Sequence, residues 1–188
     1  MDAWERFSGL FDEMKPYIRK GDWHGLELHY ANMASRMSGP EQARAVGEPS
    51  LDGYEKALNE TFRWALRRVV EIGGTALYFE YDIDNDWQSW FFLYDQYVPE
   101  SVGDDEWAVS WRVDIEGPAF PVFTELYEAY GGFNVENDAE IGVTLYLVAR
   151  TTAAFGRVCD GLSLPNIAVC VGYHDQGDLT RIREAPGN

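Results

Sequence analysis

The chain has 188 residues, enough for a single domain, and its 46% hydrophobic and 15% aromatic content is that of a folded protein even at a formal net charge of −17. The charge is uneven: residues 1–72 hold 12 acids and 10 bases, residues 73–188 hold 20 acids and 5 bases, and residues 80–140 hold 16 acids against one base, Arg112. Such a field repels nucleic-acid phosphates and anionic membranes and attracts basic proteins or cations, which excludes direct nucleic-acid binding by the acidic half.

The opening MDAWERFSGLFDEMK has no basic region ahead of an apolar core, and no apolar run nears the ~18 residues of a membrane span, so a cytoplasmic location is expected. In that compartment Cys159 and Cys170, the only cysteines, are better read as reduced, packed thiols than as a bridge.

Residues 2–19 read as a helix, with Trp4, Phe7, Leu10, Phe11 and Met14 at helical spacing until Pro16 weakens the pattern. In DWHGLELHYANMASRM the residues Leu26, Leu28 and Tyr30 alternate like a strand. A helical stripe of Trp23, Leu26, Tyr30, Met33 and Met37 behind an Asp22 cap fits better. SGPEQARAVGEPSLDG reads as a loop or linker and sets a division between a helical region, 1–50, and an α+β domain, 51–188. Residues 51–72 form the clearest helix, with Tyr54, Leu58, Phe62, Ala65, Leu66 and Val69 on one face, ended by Gly73-Gly74.

Beyond it the period changes from helical to alternating. A hairpin with Asn85-Asp86 as turn residues pairs Tyr81 with Trp90, Phe79 with Phe92 and Leu77 with Tyr94 on an apolar face. The other face then carries Glu80, Asp82 and Asp84, with Trp87 among them. WAVSWRVDI is expected as a third strand with Trp107, Val109, Trp111, Val113 and Ile115 inward, followed by a helix over 118–130 with Phe120, Phe123, Tyr127 and Tyr130 on its inner face. IGVTLYLVA and NIAVCVGYH, apolar on both faces, read as central strands flanking a helix in TTAAFGRVCDGL, and LTRIR as a short edge strand. The predicted class is α+β: a mostly antiparallel sheet of about five strands with helices packed on one face.

Catalytic and cofactor motifs do not emerge, and no cofactor is expected. Asp82, Asp84 and Asp86 are spaced like the start of a calcium loop, but the sixth and twelfth positions, where such a loop needs Gly and Glu, are Trp87 and Leu93. His174-Asp175 lacks the further ligands of a metal-dependent hydrolase, the Gly-Gly pairs lack a phosphate-loop context, and Cys159 lies on an apolar stripe with Phe155, Val158 and Leu162. What stands out is the concentration of acid, since a surplus serving solubility alone would spread along the chain.

The run TALYFEYDIDNDWQSWFFLYDQYVP, the acidic loop after it and the helix FPVFTELYEAY resemble the core of small acidic immunity proteins of bacterial polymorphic toxin systems, of the YezG-like type. The resemblance covers residues 75–130 and leaves the N-terminal helices unaccounted for. It implies a protein that neutralises a nuclease toxin, with no catalytic residues of its own. The leading expectation is therefore a binding protein, not an enzyme, that occludes a basic partner through Glu80, Asp82, Asp84, Asp86, Trp87, Asp95 and the Asp104-Asp105-Glu106 loop, with Trp87 as an aromatic anchor. Two other classes compete. One is a small-molecule binder or enzyme with a pocket between the aromatic sheet face and the helices, marked by a buried carboxylate or His174. The other is a module that dimerises through an edge strand.

Overall fold

Helical periodicity and capping organise the N-terminal third. In the computed structural model, which describes residues 3–103, 105–175 and 179–185, the first apolar stripe gives α1 (Ala3–Asp12) and a short α2 (Lys15–Ile18) with Pro16 in its first turn, so the predicted single helix is broken in two. Asp22 caps α3 (Trp23–Met37) by accepting from the Gly25 amide at 2.9 Å, and the helical reading of this segment holds. The segment expected as a linker contains a helix instead, α4 (Pro40–Gly47). It folds because Pro40 is preset for a first helical turn, Val46 is fully buried, and the buried Arg150 guanidinium donates to the Val46 and Pro49 carbonyls at 2.5 and 2.8 Å. The predicted long amphipathic helix is α5 (Asp52–Glu71).

The sheet contains β1 (Ala76–Asp82), β2 (Gln88–Tyr94), β3 (Val113–Glu116), β4 (Ala168–Tyr173) and β5 (Thr180–Arg183) in the order β3-β2-β1-β4-β5. The fold is α+β as expected, but the sheet is mixed, because β4 lies parallel to β1 while the other pairs are antiparallel. The third strand is shorter than predicted, since Glu106–Val109 form a 3-10 turn and only residues from Val113 onward join the sheet. After it comes α6 (Pro121–Tyr130), with Phe123 buried and Tyr130, expected inward, 44% exposed.

IGVTLYLVA is not a strand. It is the first half of α7 (Asp138–Asp160), which is buried almost continuously from Ile141 to Cys159. At 23 residues and ~1.5 Å rise each, this helix is about 35 Å long. One of its sides meets the sheet, where Phe155 lies 4.6 Å from Phe79 and 5.1 Å from Phe62 between ring centroids. Its other side packs antiparallel on α3, close enough that a Cβ on Gly156 would sit 2.5 Å from the Trp23 ring and one on Gly142 would sit 2.9 Å from Met37 Cβ. A helix covered on both sides must be apolar all round, and that erases the stripe by which a helix is recognised in sequence. One core cluster runs from Phe7, Trp23 and Tyr30 through Leu58 and Phe79 to Phe155.

Candidate functional site

The α-helices cover one side of the sheet. On the other, here called the free side, the segment carrying Tyr97, Trp107 and Ala108 buries Tyr78, Tyr94 and Cys170, while the part around Trp90, Phe92 and β3 is only partly covered, and the hairpin register decides which side chains point there. The strands pair Tyr81 with Ser89, Phe79 with Phe91 and Leu77 with Leu93, one residue away from the predicted pairing. A slip of one exchanges the faces of the slipped strand. Phe91 and Leu93 therefore point into the helix-covered core, while Trp90, Phe92 and Tyr94 pass to the free side, opposite Glu80, Tyr78 and Ala76.

The cause lies in the loop. Instead of a two-residue turn, residues 83–87 connect the strands, and the left-handed positions are Asp86 and Trp87, both at φ 52°. Trp87 accepts this unusual backbone because its side chain is fully buried. The ring stacks on Tyr81 at 5.5 Å, meets Phe123 edge-on at 5.4 Å, and donates from Nε1 to Thr151 Oγ1 at 2.9 Å. Asp86 accepts from the Phe120 amide at 3.0 Å, which ties the loop to the start of α6. Trp87 is thus a core residue and no surface anchor, contrary to the sequence expectation.

The other predicted contact residues lie in different settings. Several are held by partners within the chain: Glu80 Oε1 lies 3.0 Å from His174 Nδ1, Asp95 accepts from Arg112 at 3.0 Å, and Asp105 pairs with Arg181. Arg112, the single base of residues 80–140, also donates to the Ile72 carbonyl at the end of α5, so its charge is committed. Asp82 accepts from the Asp84 amide at 3.1 Å, and Asp84, Asp86 and Glu106 are exposed. Asp104 lies outside the described residues. The hairpin end therefore brings together Asp82, Asp84 and Asp86, and β3 adds Asp114 and Glu116, both exposed and absent from the predicted set. Glu116 could have been found from sequence by carrying the alternation of β3 one residue further.

The tryptophans expected inside are placed elsewhere, Trp90 by the slip of β2 and Trp107 and Trp111 because they precede the strand. Trp107 is buried, but on the free side, where it packs edge-on against Tyr94 at 4.9 Å and Tyr97 at 5.1 Å. Trp90 is half-buried on that side, and Trp111 is 50% exposed with its ring 5.0 Å from Phe92. The edge position Arg112 and the 3-10 turn before it prevent Trp111 from following the strand alternation inward.

His174 also belongs to the free side, and its hydrogen bond to Glu80, aided by the charges of Glu80, Asp175 and Asp82, raises its pKa against a smaller opposing effect of burial. Cys159 and Cys170 are unbridged and buried. Burial pushes the Cys170 thiol up to about 12 and that of Cys159 well above its ordinary range, so neither is a nucleophile at neutral pH. The space between sheet and helices, where a small-molecule pocket was the competing expectation, is filled by the rings of Phe62, Phe79, Phe91 and Phe155, and His174 lies on the opposite side of the sheet. Among the described residues, one groove of about 500 Å³ is a shallow depression around Leu66, Val70 and Pro165, and another, of about 410 Å³, lies between α5 and the end of α7.

Taken together, these features define an α+β protein whose distinctive surface is the acid-bordered part of the sheet face that the α-helices leave uncovered. Among the described residues, no helix is long and apolar enough to cross a membrane, and no three His, Cys, Asp or Glu side chains form a metal-ligand group. No family model, curated protein or solved structure matches the chain.

Proposed function

We propose that this chain is a binding protein that occludes a basic protein partner with the acidic end of its sheet, acting as an immunity protein against a nuclease toxin. The reading is carried by one observation. Where the sequence concentrates 16 acids against one base, that base is already engaged by Asp95 and the Ile72 carbonyl, while Asp82, Asp84, Asp86, Asp114 and Glu116 face outward from one hairpin and its neighbouring edge strand. Uncompensated charge held on a rigid strand pair raises encounter rates with a cationic surface and excludes phosphate from the same place, the two effects an inhibitor of a nucleic-acid-cleaving enzyme needs. The filled core beneath the sheet supports a binding role over the small-molecule reading.

The test is inhibition. A panel of basic ribonucleases and deoxyribonucleases is assayed with and without stoichiometric protein, and association is followed by stopped flow at 50 and 300 mM salt. Inhibition of at least one enzyme is expected, with an association rate that falls by an order of magnitude or more between the two salts, about the range of electrostatic steering. An association rate that is the same at both salts would remove the mechanism.

A further inference from the structure

Cross-strand register places an aromatic side chain between two carboxylates on the free face. Trp90 of β2 is directly opposite Glu80 of β1 on one side and Glu116 of β3 on the other, and Phe92 stands between Tyr78 and Asp114. Directly opposed residues on one sheet face have Cβ atoms ~4.5–5.5 Å apart, within reach of a single docked side chain. Trp111, half exposed and packed on Phe92, extends the aromatic strip toward the sheet edge. Trp90 packs into neither hydrophobic cluster, so its ring is not needed to complete the core.

An indole face bordered by carboxylates is the setting that takes a guanidinium, which stacks on the ring while its fork of N–H donors reaches the acids at either side. An ammonium, compact and strongly hydrated, makes only the charge contact. We infer that the Trp90–Phe92–Trp111 strip is the anchor of the partner interface, and that its occupant is an arginine-presenting protein surface. The inference rests on the proposed function for the basic nature of the partner, and adds which residues hold it and by which side chain. A second copy of this chain is the wrong occupant, because a two-fold contact would set Glu80, Asp82, Asp114 and Glu116 against their own copies.

The test titrates the whole protein with two synthetic peptides of equal charge, octa-arginine and octa-lysine, by calorimetry at 50 mM salt, alongside Trp111→Ala and Glu116→Gln, with circular dichroism to verify folding. The wild type is expected to bind octa-arginine more tightly than octa-lysine. Trp111→Ala should weaken octa-arginine roughly 2–5-fold, the range of an exposed cation–π contact, and leave octa-lysine unchanged. Glu116→Gln should weaken both. Equal affinities for the two peptides, indifferent to Trp111→Ala, would overturn the anchor while leaving acidic recognition standing, whereas no binding of either peptide at low salt would overturn both. A dimer in sedimentation that Trp111→Ala dissociates would also overturn it, by giving the strip to a second copy.

Discussion

Replacing Trp87 with alanine separates a core residue from a contact residue by magnitude alone. The side chain is fully buried, and a buried indole removes about 150–250 Å² from water, which at about 25 cal/mol per Å² amounts to about 4–6 kcal/mol as an upper bound. Its hydrogen bond to Thr151 adds little to the loss, because Thr151 Oγ1 also donates to the Leu147 carbonyl at 3.0 Å and is not left unpaired. Truncations of this kind cost about 3–5 kcal/mol once the site relaxes, or about 6–20 °C in Tm for a chain of this size. Trp111→Ala, at a half-exposed position, should cost no more than about 1 kcal/mol. Urea denaturation of both variants makes the comparison. A Trp87→Ala variant within 1 kcal/mol of wild type would mean that the ring lies on the surface and that the hairpin holds the other register. Trp87→Gly adds a check: because the position has φ 52°, glycine should be destabilised no more than alanine, against its usual penalty of about 1 kcal/mol in regular structure.

Three further outcomes are expected. Asn137→Ala should destabilise the protein by about 1 kcal/mol, since the Asn137 side chain accepts from the Ala139 and Glu140 amides at the start of α7; chemical denaturation with no change in midpoint would contradict that cap. Tyr81→Phe should be neutral or stabilise by up to about 1 kcal/mol, because the Tyr81 hydroxyl is buried with no hydrogen-bond partner among the described residues; a clear loss of stability would show that the hydroxyl is bonded, with Thr152 the neighbour to accept or donate. His174, facing Glu80 and Asp82 of β1 and its neighbour Asp175, has a pKa above the usual value of about 6.5, so its pairing stabilises the fold fully below that value and is lost as pH rises through the folded pKa. A proton NMR titration should show this pKa falling in Glu80→Gln, and a pKa unmoved by that change would refute the pairing. As His174 loses its proton the free face becomes more negative, so affinity for octa-arginine should rise across the same interval.

How legible the structure was depended on whether one face of an element was wet. α5 and β1 were readable because α5 keeps Arg63, Arg67 and Arg68 in solvent and β1 alternates toward Glu80 and Asp82. The second half of α7 was readable as the helix in TTAAFGRVCDGL, whereas its first half, IGVTLYLVA, was not, because α3 covers the side that would otherwise be polar. The cue that survives lies outside the apolar run, in Asn137-Asp-Ala-Glu140, where Asn137 caps the helix and donates to Glu140 at 2.7 Å. The hairpin register was ambiguous for a related reason: QSWFFLY is apolar on both faces, so its alternation favours neither, and the choice falls to how Trp87 packs under α6 and α7. The acidic character of the site was plain from charge counting, whereas its aromatic members depended on that register and were assigned inward.

Within β2, neighbouring residues answer to different demands. Phe91 and Leu93 are held by the helices, while Trp90 and Phe92, a single residue away, touch no helix core and lie between strands on the free side. Partner specificity can therefore diverge by substitutions at Trp90, Asp114 and Glu116, which neither hydrophobic cluster includes, so variants of this scaffold can acquire new partners without first acquiring stability to spare.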